Sequence, residues 1–205
     1  MDGTLVDSAQ LGLTAFEQSF AALGVAFDHD VYCAVYSPNW YSVYEAMGLP
    51  KDKWQRADEL WTQHYGAQTA QLVEDAKETI VELRQKGYTL GIVSSGNGLR
   101  VSREIANVGF EGVFEVVVCH EQMENRKPHP EGLETAMRLL NRSPEESCYI
   151  GDSPEDIEMG KRAGVLTVGV QSAYPTNWKL KGSSPDIYIQ SLNELSDIFG
   201  RRTNI

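Results

Sequence analysis

The chain has 205 residues, 41% hydrophobic and 23% charged, the balance of a globular protein and not of a disordered tail or a fibre. A chain of this size buries about 70% of its unfolded surface, enough for a core without disulfide or metal staples, and the length predicts one domain or one domain with a modest insert. Eighteen Lys and Arg against 29 Asp and Glu leave a net charge of −11; with no basic run, the chain lacks the clustered positive charge that holds nucleic acid or an anionic membrane surface.

In chain order, the first feature is the turn Asp2-Gly3-Thr4-Leu5-Val6-Asp7-Ser8, with no apolar strand ahead of it. Leu13, Phe16, Phe20 and Leu23 then recur at helical spacing, and Gly24 stops that helix. Residues 25 to 72 show no strand alternation and are rich in Tyr and Trp. They predict a small helical module whose aromatics mostly pack its interior, with Trp40 or Tyr41 placed to line an entrance. From Asp75 the pattern changes. Ala76, Ile80 and Leu83 mark a helix closed by Gly87, and Thr89 to Val93 a strand running into Ser94-Ser95-Gly96-Asn97. A helix through Val101, Ile105 and Val108, a strand at Val116 to Cys119, a helix through Leu133 and Leu140, and a strand at Cys148 to Ile150 follow. The series ends with a helix from Pro154 to Ala163, strands at Leu166 to Val170 and Ile187 to Ile189, and a helix around Leu192 to Phe199. Between the last two strands, the polar, Gly- and Pro-punctuated stretch Ser172 to Pro185 reads as a surface loop.

Strands alternating with helices of about ten residues predict βαβ crossovers and a parallel sheet, with the ligand beyond the carboxyl ends of the strands. Ser94 and Asp152 end two of those strands and so share a rim. The chain has no run of about 18 apolar residues, so no membrane-spanning helix is expected, and no basic-then-apolar leader, so secretion is not expected. Cys33, Cys119 and Cys148 are odd in number and widely spaced; they read as buried, reduced thiols of a cytoplasmic protein. Without a Cys-x-x-Cys pair and with four scattered His, a zinc site is not expected.

Four segments carry the chemistry: the turn from Asp2, the strand end at Ser94, Lys127-Pro128-His129-Pro130, and Gly151-Asp152-Ser153-Pro154-Glu155-Asp156. Asp152 and Asp156, four residues apart at the start of a helix, can present two carboxylates to a Mg²⁺ ion, which takes one or two protein acids and keeps several waters. Ser153-x-x-Asp156 equally matches a helix capping box. Singly, Lys127 reads as a solvated lysine, Ser94 as a loop hydroxyl and Asp2-Gly3 as an ordinary turn. As an ordered set, the hydroxyl, the ammonium and the acids are the parts that neutralise a phosphoryl group during transfer.

This set closely resembles the haloacid-dehalogenase-type phosphohydrolases, in the branch containing phosphoglycolate phosphatase and β-phosphoglucomutase, from Met1 to about Phe199. The resemblance implies an α/β fold with a Rossmann-like parallel sheet in residues 1–8 and 73–205 and an inserted helical cap in residues 9–72. It implies that Asp2 is the general acid and base, with its backbone carbonyl on Mg²⁺. Ser94, Ser95, Gly96 and Lys127 would hold the phosphoryl oxygens, Asp152 would ligate the metal, and Asp156 would lie nearby, through water. The substrate would be a small phosphorylated metabolite. Relatives that cleave carbon–halogen bonds lack the second acid and the metal, so Asp2 with Asp152 favours phosphate esters.

One departure stands out. The family's first motif reads Asp-x-Asp-Gly-Thr after an apolar strand, and Met1 matches its middle residue. The nucleophilic Asp and the central strand that carries it are therefore expected to be missing, and the chain to be an N-terminally clipped form, inactive by itself. An in-frame apolar run ending in Asp upstream of Met1 would support clipping; an immediate stop codon would leave a catalytically dead interaction protein. A sugar-phosphate mutase of the same fold is the other alternative. It is disfavoured because residues 9 to 50 contain no Lys or Arg to grip a second anion; the nearest candidates are Lys51, Lys53, Arg56 and His29.

Overall fold

The computed structural model describes residues 1–200; the last five residues of the predicted α/β unit, 201–205, lie outside the described residues. After the first turn, strand β1 (Val6–Asp7) leads into helix α1 (Ala9–Ala22). Helix α1 ends where its spacing runs out. Gly24 takes a left-handed φ of 68°, and the amides of Gly24 and Val25 bond back to the carbonyls of Ala21 and Phe20, the Schellman arrangement that glycine permits. Helices α2 (His29–Val35), α3 (Tyr41–Ala46) and α4 (Trp54–Gly66) follow. With α1 they bury Phe16, Phe20, Tyr32, Val43, Tyr44, Leu49 and Ala57 in a cluster of their own. The aromatic wealth of this stretch therefore goes chiefly into packing, as expected.

Strand β2 (Gln71–Leu72) closes the excursion by pairing antiparallel with β1, Val6 opposite Leu72 and Asp7 opposite Gln71. The expectation of no strand up to residue 72 is thus corrected. Two residues are too few to show alternation, and the pairing is made by the partner strand, not by local sequence.

The remaining elements alternate as predicted: α5 (Ala76–Gln85), β3 (Gly91–Val93), α6 (Gly98–Asn107), β4 (Val116–Val118), α7 (Glu131–Leu140), β5 (Cys148–Gly151), α8 (Pro154–Ala163), β6 (Leu166–Val170), β7 (Ile187–Ile189) and α9 (Glu194–Ile198). All strand pairing among β3 to β7 is parallel. Strand β3 pairs with β4, and β5, β6 and β7 form a second ladder in that order; among the described residues no backbone ladder joins β3 to β5. The two ladders share apolar layers on both faces. Ile92, Val168, Val170 and Ile189 pack with Ala76, Val101, Ile105 and Leu195 from α5, α6 and α9. Val93, Val118 and Tyr149 pack with Leu133, Ala136, Met137, Met159 and Ala163 from α7 and α8. Helices on both faces of parallel strands make this a doubly wound α/β fold.

Two further expectations need adjustment. Residues Asn177–Ser183 form a 3₁₀ helix with Leu180 fully buried, so the stretch from Ser172 is only outwardly a surface loop. Its polar residues are spent on strand ends: the Asn177 amide donates to the carbonyls of Asp152 (2.7 Å) and Val170 (3.1 Å). Of the three free thiols Cys119 is buried, whereas Cys33 and Cys148 are half-buried. None of the described helices is long and apolar enough to cross a membrane.

Candidate active site

The first turn is closed by hydrogen bonds from the Leu5 and Val6 amides to the Met1 carbonyl and from the Gly3 amide to Val6. Gly3 sits at φ 68°, and a Cβ there would collide with the Asp152 carboxylate; glycine is what lets this turn lie against the end of β5. The turn aims Asp2 inward. Its Oδ1 accepts from the Ser8 hydroxyl (2.8 Å) and from Arg100 Nη1 (2.9 Å), and its Oδ2 from Arg100 Nη2 (2.7 Å). Burial alone would raise the Asp2 carboxyl, but the forked Arg100 guanidinium outweighs it and holds the group well below the usual carboxylate range. Arg100 also bonds Glu104 (3.0 Å), one helical turn on.

Strand β3 ends in Ser94, buried, whose amide donates to the Val118 carbonyl (2.9 Å) and whose hydroxyl accepts from the Gly96 amide (3.0 Å). Asn97 then caps α6, its side-chain oxygen accepting from the amides of Leu99 (3.0 Å) and Arg100 (3.3 Å). The Ser95 hydroxyl is buried with no hydrogen-bond partner.

Lys127 is buried beside the end of β3. Its ammonium donates to Asp156 Oδ1 (2.8 Å), the Tyr149 hydroxyl (2.8 Å) and, more distantly, the Val93 carbonyl (3.2 Å). Burial disfavours that charge, but Asp156 and Tyr149 outweigh it and the lysine stays protonated. The other oxygen of Asp156 accepts from the amides of Asp152 and Ser153 and from the Ser153 hydroxyl. The capping box is therefore real, and Asp156 serves both as the α8 cap and as the Lys127 partner; Lys127 outweighs burial and lowers its pKa.

Asp152 is different. Its carboxylate accepts only from hydroxyls, Thr4 Oγ1 (2.9 Å) and Ser172 Oγ (2.8 Å), and no side-chain cation pairs with it among the described residues. Burial first, and the Asp156 charge second, push it up to about 6. Among the described residues no group of three or more His, Cys, Asp or Glu side chains is arranged to hold a metal ion. A buried carboxylate without its own cation nevertheless fits a hard divalent ion held by one acid, a backbone carbonyl and waters.

Asp2, Ser94, Ser95, Gly96, Lys127, Asp152 and Asp156 all line one cavity of about 270 Å³ between the strand ends and helices α1–α4. These seven residues thus reach the same place. On the helical side the walls are largely aromatic and include Trp40 but not Tyr41. None of the four candidate anion grips lines the cavity: Lys53 bonds the Leu23 carbonyl, Lys51 lies over Trp54, Arg56 pairs with Glu59, and His29 faces Cys33. Sequence reasoning missed Arg100, Thr4, Ser172 and Tyr174. For Arg100 a signal existed, since Arg100 and Glu104 stand four apart on the face of α6 that carries Val101 and Ile105, where a charge must find a partner.

A family model described as haloacid dehalogenase-like hydrolase matches residues 1–170. A pyrophosphatase, PpaX, of Halalkalibacterium halodurans is 30% identical over 215 aligned residues, covering 98% of this chain and 94% of that protein. The PpaX pyrophosphatase of Listeria welshimeri is 38% identical over 122 residues, and there the match spans 60% of this chain and 56% of the relative's length. Among solved structures, a predicted phosphoglycolate phosphatase from Haemophilus somnus superposes with a TM-score of 0.86 over 97% of this chain and 95% of its own, at 20% identity.

Proposed function

The chain belongs to the haloacid dehalogenase-like hydrolase family, and from that footing we propose that it serves a Mg²⁺-dependent phosphomonoester hydrolase acting on a small phosphorylated metabolite through an aspartyl-phosphate. The observation that carries this reading is the meeting of Asp2, Ser94, Lys127 and Asp152 on one cavity. Helices α1–α4 act as the cap over it. The Lys127 ammonium and the hydroxyls of Ser94 and Ser95 bind the phosphoryl oxygens; Lys127 has its longest hydrogen bond, to the Val93 carbonyl, to exchange for one of them. Asp152 and the Asp2 carbonyl hold Mg²⁺, which neutralises phosphoryl charge when bound. Asp2, oriented by Arg100 and Ser8, moves the proton to the leaving oxygen and from the attacking water. In the family's Asp-x-Asp pattern Asp2 matches the second acid, and the aspartyl-phosphate forms on the first acid of that pattern. The absence of a Lys or Arg from α1–α4 along the cavity speaks against a second anion, and so for a hydrolase over a sugar-phosphate mutase.

A chain extended ahead of Met1 by an apolar strand ending in Asp is expected to hydrolyse phosphomonoesters in Mg²⁺. Pyrophosphate belongs in the panel because relatives carry that name. Asn in place of the added Asp, or Asp2→Asn, is expected to lower turnover about 100-fold or more. Turnover that survives both changes and a chelator would overturn the reading.

A further inference from the structure

The helical side of the cavity is built unlike a grip for a polar or anionic leaving group. Trp61, Tyr36 and Trp40 all line it, and each has one face already covered from behind. Trp61 stacks on Tyr65 at 4.7 Å and 19°, Tyr36 stacks on Tyr174 at 4.9 Å and 23°, and the Arg126 guanidinium lies 4.3 Å from the Trp40 ring centre. Each also touches a second ring, Phe16 at 5.9 Å, Tyr32 at 5.3 Å and His120 at 6.1 Å respectively, and what these contacts leave uncovered faces the cavity. The indole tips are bonded to neighbouring protein atoms. Trp61 Nε1 donates to the Gly12 carbonyl (3.2 Å), and Trp40 Nε1 (2.8 Å) and the Tyr44 hydroxyl (2.9 Å) both donate to Asp58. What is left is a wall of tied-down rings on the helical side of the cavity, interrupted by the Asp58 carboxylate, whose oxygens are taken up by Trp40, Tyr41 and Tyr44.

Three consequences follow. Rings held by stacking and hydrogen bonds cost little conformational entropy when a ligand packs on them. Among the described residues a second anion meets no unpaired lysine or arginine there, since Arg100 and Lys127, which line the cavity, are already paired with Asp2 and Asp156. The volume of about 270 Å³ lies just below the usual range for ligand pockets, about 300–1,000 Å³, room for a phosphoryl group and one ring system but not a long chain.

We propose that the substrate is a phosphate ester of a small alcohol bearing an uncharged aromatic or heteroaromatic ring, which enters the slot formed by Trp61, Tyr36 and Trp40. This rests on the phosphohydrolase reading above and assigns its leaving group. The test is calorimetric and needs no turnover. The 205-residue chain with Mg²⁺ is titrated with inorganic phosphate, propyl phosphate, benzyl phosphate, 2-phosphoglycolate and phosphocholine. Propyl and benzyl phosphate both carry a primary alcohol, so they differ in the ring and not in the phosphoryl end. Benzyl phosphate is expected to bind about tenfold or more tightly than propyl phosphate, as burial of a phenyl group requires, and 2-phosphoglycolate no more tightly than propyl phosphate. Thr62→Trp, at an exposed position on the cavity wall, is expected to remove the benzyl preference and leave propyl phosphate binding unchanged. Equal affinities for benzyl and propyl phosphate would overturn the ring assignment while leaving the phosphate site standing. Phosphocholine binding more tightly than benzyl phosphate would overturn it in favour of a cation cage. Failure of phosphate and propyl phosphate to bind, with no effect of Lys127→Met, would bring down the phosphohydrolase reading and the ring assignment together.

Discussion

Four carboxylates line the cavity, Asp2, Asp58, Asp152 and Asp156, and the partners of the three on the strand side divide the labour among them. Asp2 has a forked arginine, Asp156 has a lysine and four further hydrogen-bond donors, and Asp152 has only hydroxyls. A carboxyl whose folded pKa lies above its unfolded value favours the folded state while protonated in both, and loses that advantage as pH rises through the folded pKa. For Asp152 the window runs from about 4 to about 6. At pH 7 without divalent ions its charge is therefore a burden, on the order of 3 kcal/mol from the size of the shift. Asp152→Asn is expected to be the more stable protein by about that amount at pH 7, with the difference closing near pH 4, as read by urea unfolding at each pH. Millimolar Mg²⁺ is expected to raise the melting temperature of the parent chain at pH 7 by ligand linkage. The rise should fade below pH 6 as Asp152 takes up its proton, and be absent in Asp152→Asn. A metal-induced shift that persists in the variant would move the ion to other ligands.

Helix α6 shows how an element delivers a residue whose distant partner its own sequence does not name. Its start is set by Asn97, whose side chain satisfies two of the amides that a helix N-terminus leaves open. That start fixes which residues face inward, and Arg100 reaches Asp2 because it does. Asn97→Ala is expected to cost about 1 kcal/mol of unfolding free energy, and more in phosphate affinity than Leu99→Ala, since Leu99 is exposed and leaves the start of α6 in place; equal losses in the two variants would show the cap to be structural only. The same element marks the limit of sequence reading. Helices with a long apolar period, such as α1, α7 and α8, and strands β5 to β7 were legible within a few residues, because periodicity and glycine stops are local facts. Ser94, Lys127 and Asp152 were legible because they stand at strand ends or in an ordered set. Arg100, Ser172 and Tyr174 were not, because their importance lies in partners far along the chain: Asp2, Asp152 and Ser8. The pair β1 and β2 escaped for the same reason, each strand being two residues long and defined only by the other.

At the scale of the whole molecule, the helical side and the strand side of the cavity are covalently joined through β1 and β2, and among the described residues several contacts hold them together as well, including Arg100 over Trp61 and Tyr65 (5.9 and 5.1 Å) and His120 against Trp40. Tyr36 stacks on Tyr174, Lys179 bonds the Ala34 carbonyl (2.9 Å), Arg103 bonds the Gly66 carbonyl (3.3 Å), and Arg126 lies over Trp40 and Tyr41 at 4.3 and 4.6 Å. Arg126 is the most exacting of these. It directly precedes Lys127, its Nη1 is buried without a hydrogen-bond partner, and two rings of the opposite side hold it in place. A cation over an aromatic face contributes about 0.5–1 kcal/mol when exposed and about 2 when desolvated, enough to shift an opening equilibrium severalfold or more. If helices α1–α4 swing as a cap about the β1–β2 pair, Arg126→Ala should loosen the closed state without touching the strands. The expected result is faster amide hydrogen exchange, by about threefold to thirtyfold, in residues 29 to 47, with exchange in β5 and β6 unchanged. Arg126→Lys should recover part of the protection, because the ammonium keeps the charge but not the planar face. An equal rise across helices and strands would mean that Arg126 supports the fold as a whole, and that the two sides of the cavity open only when the molecule unfolds.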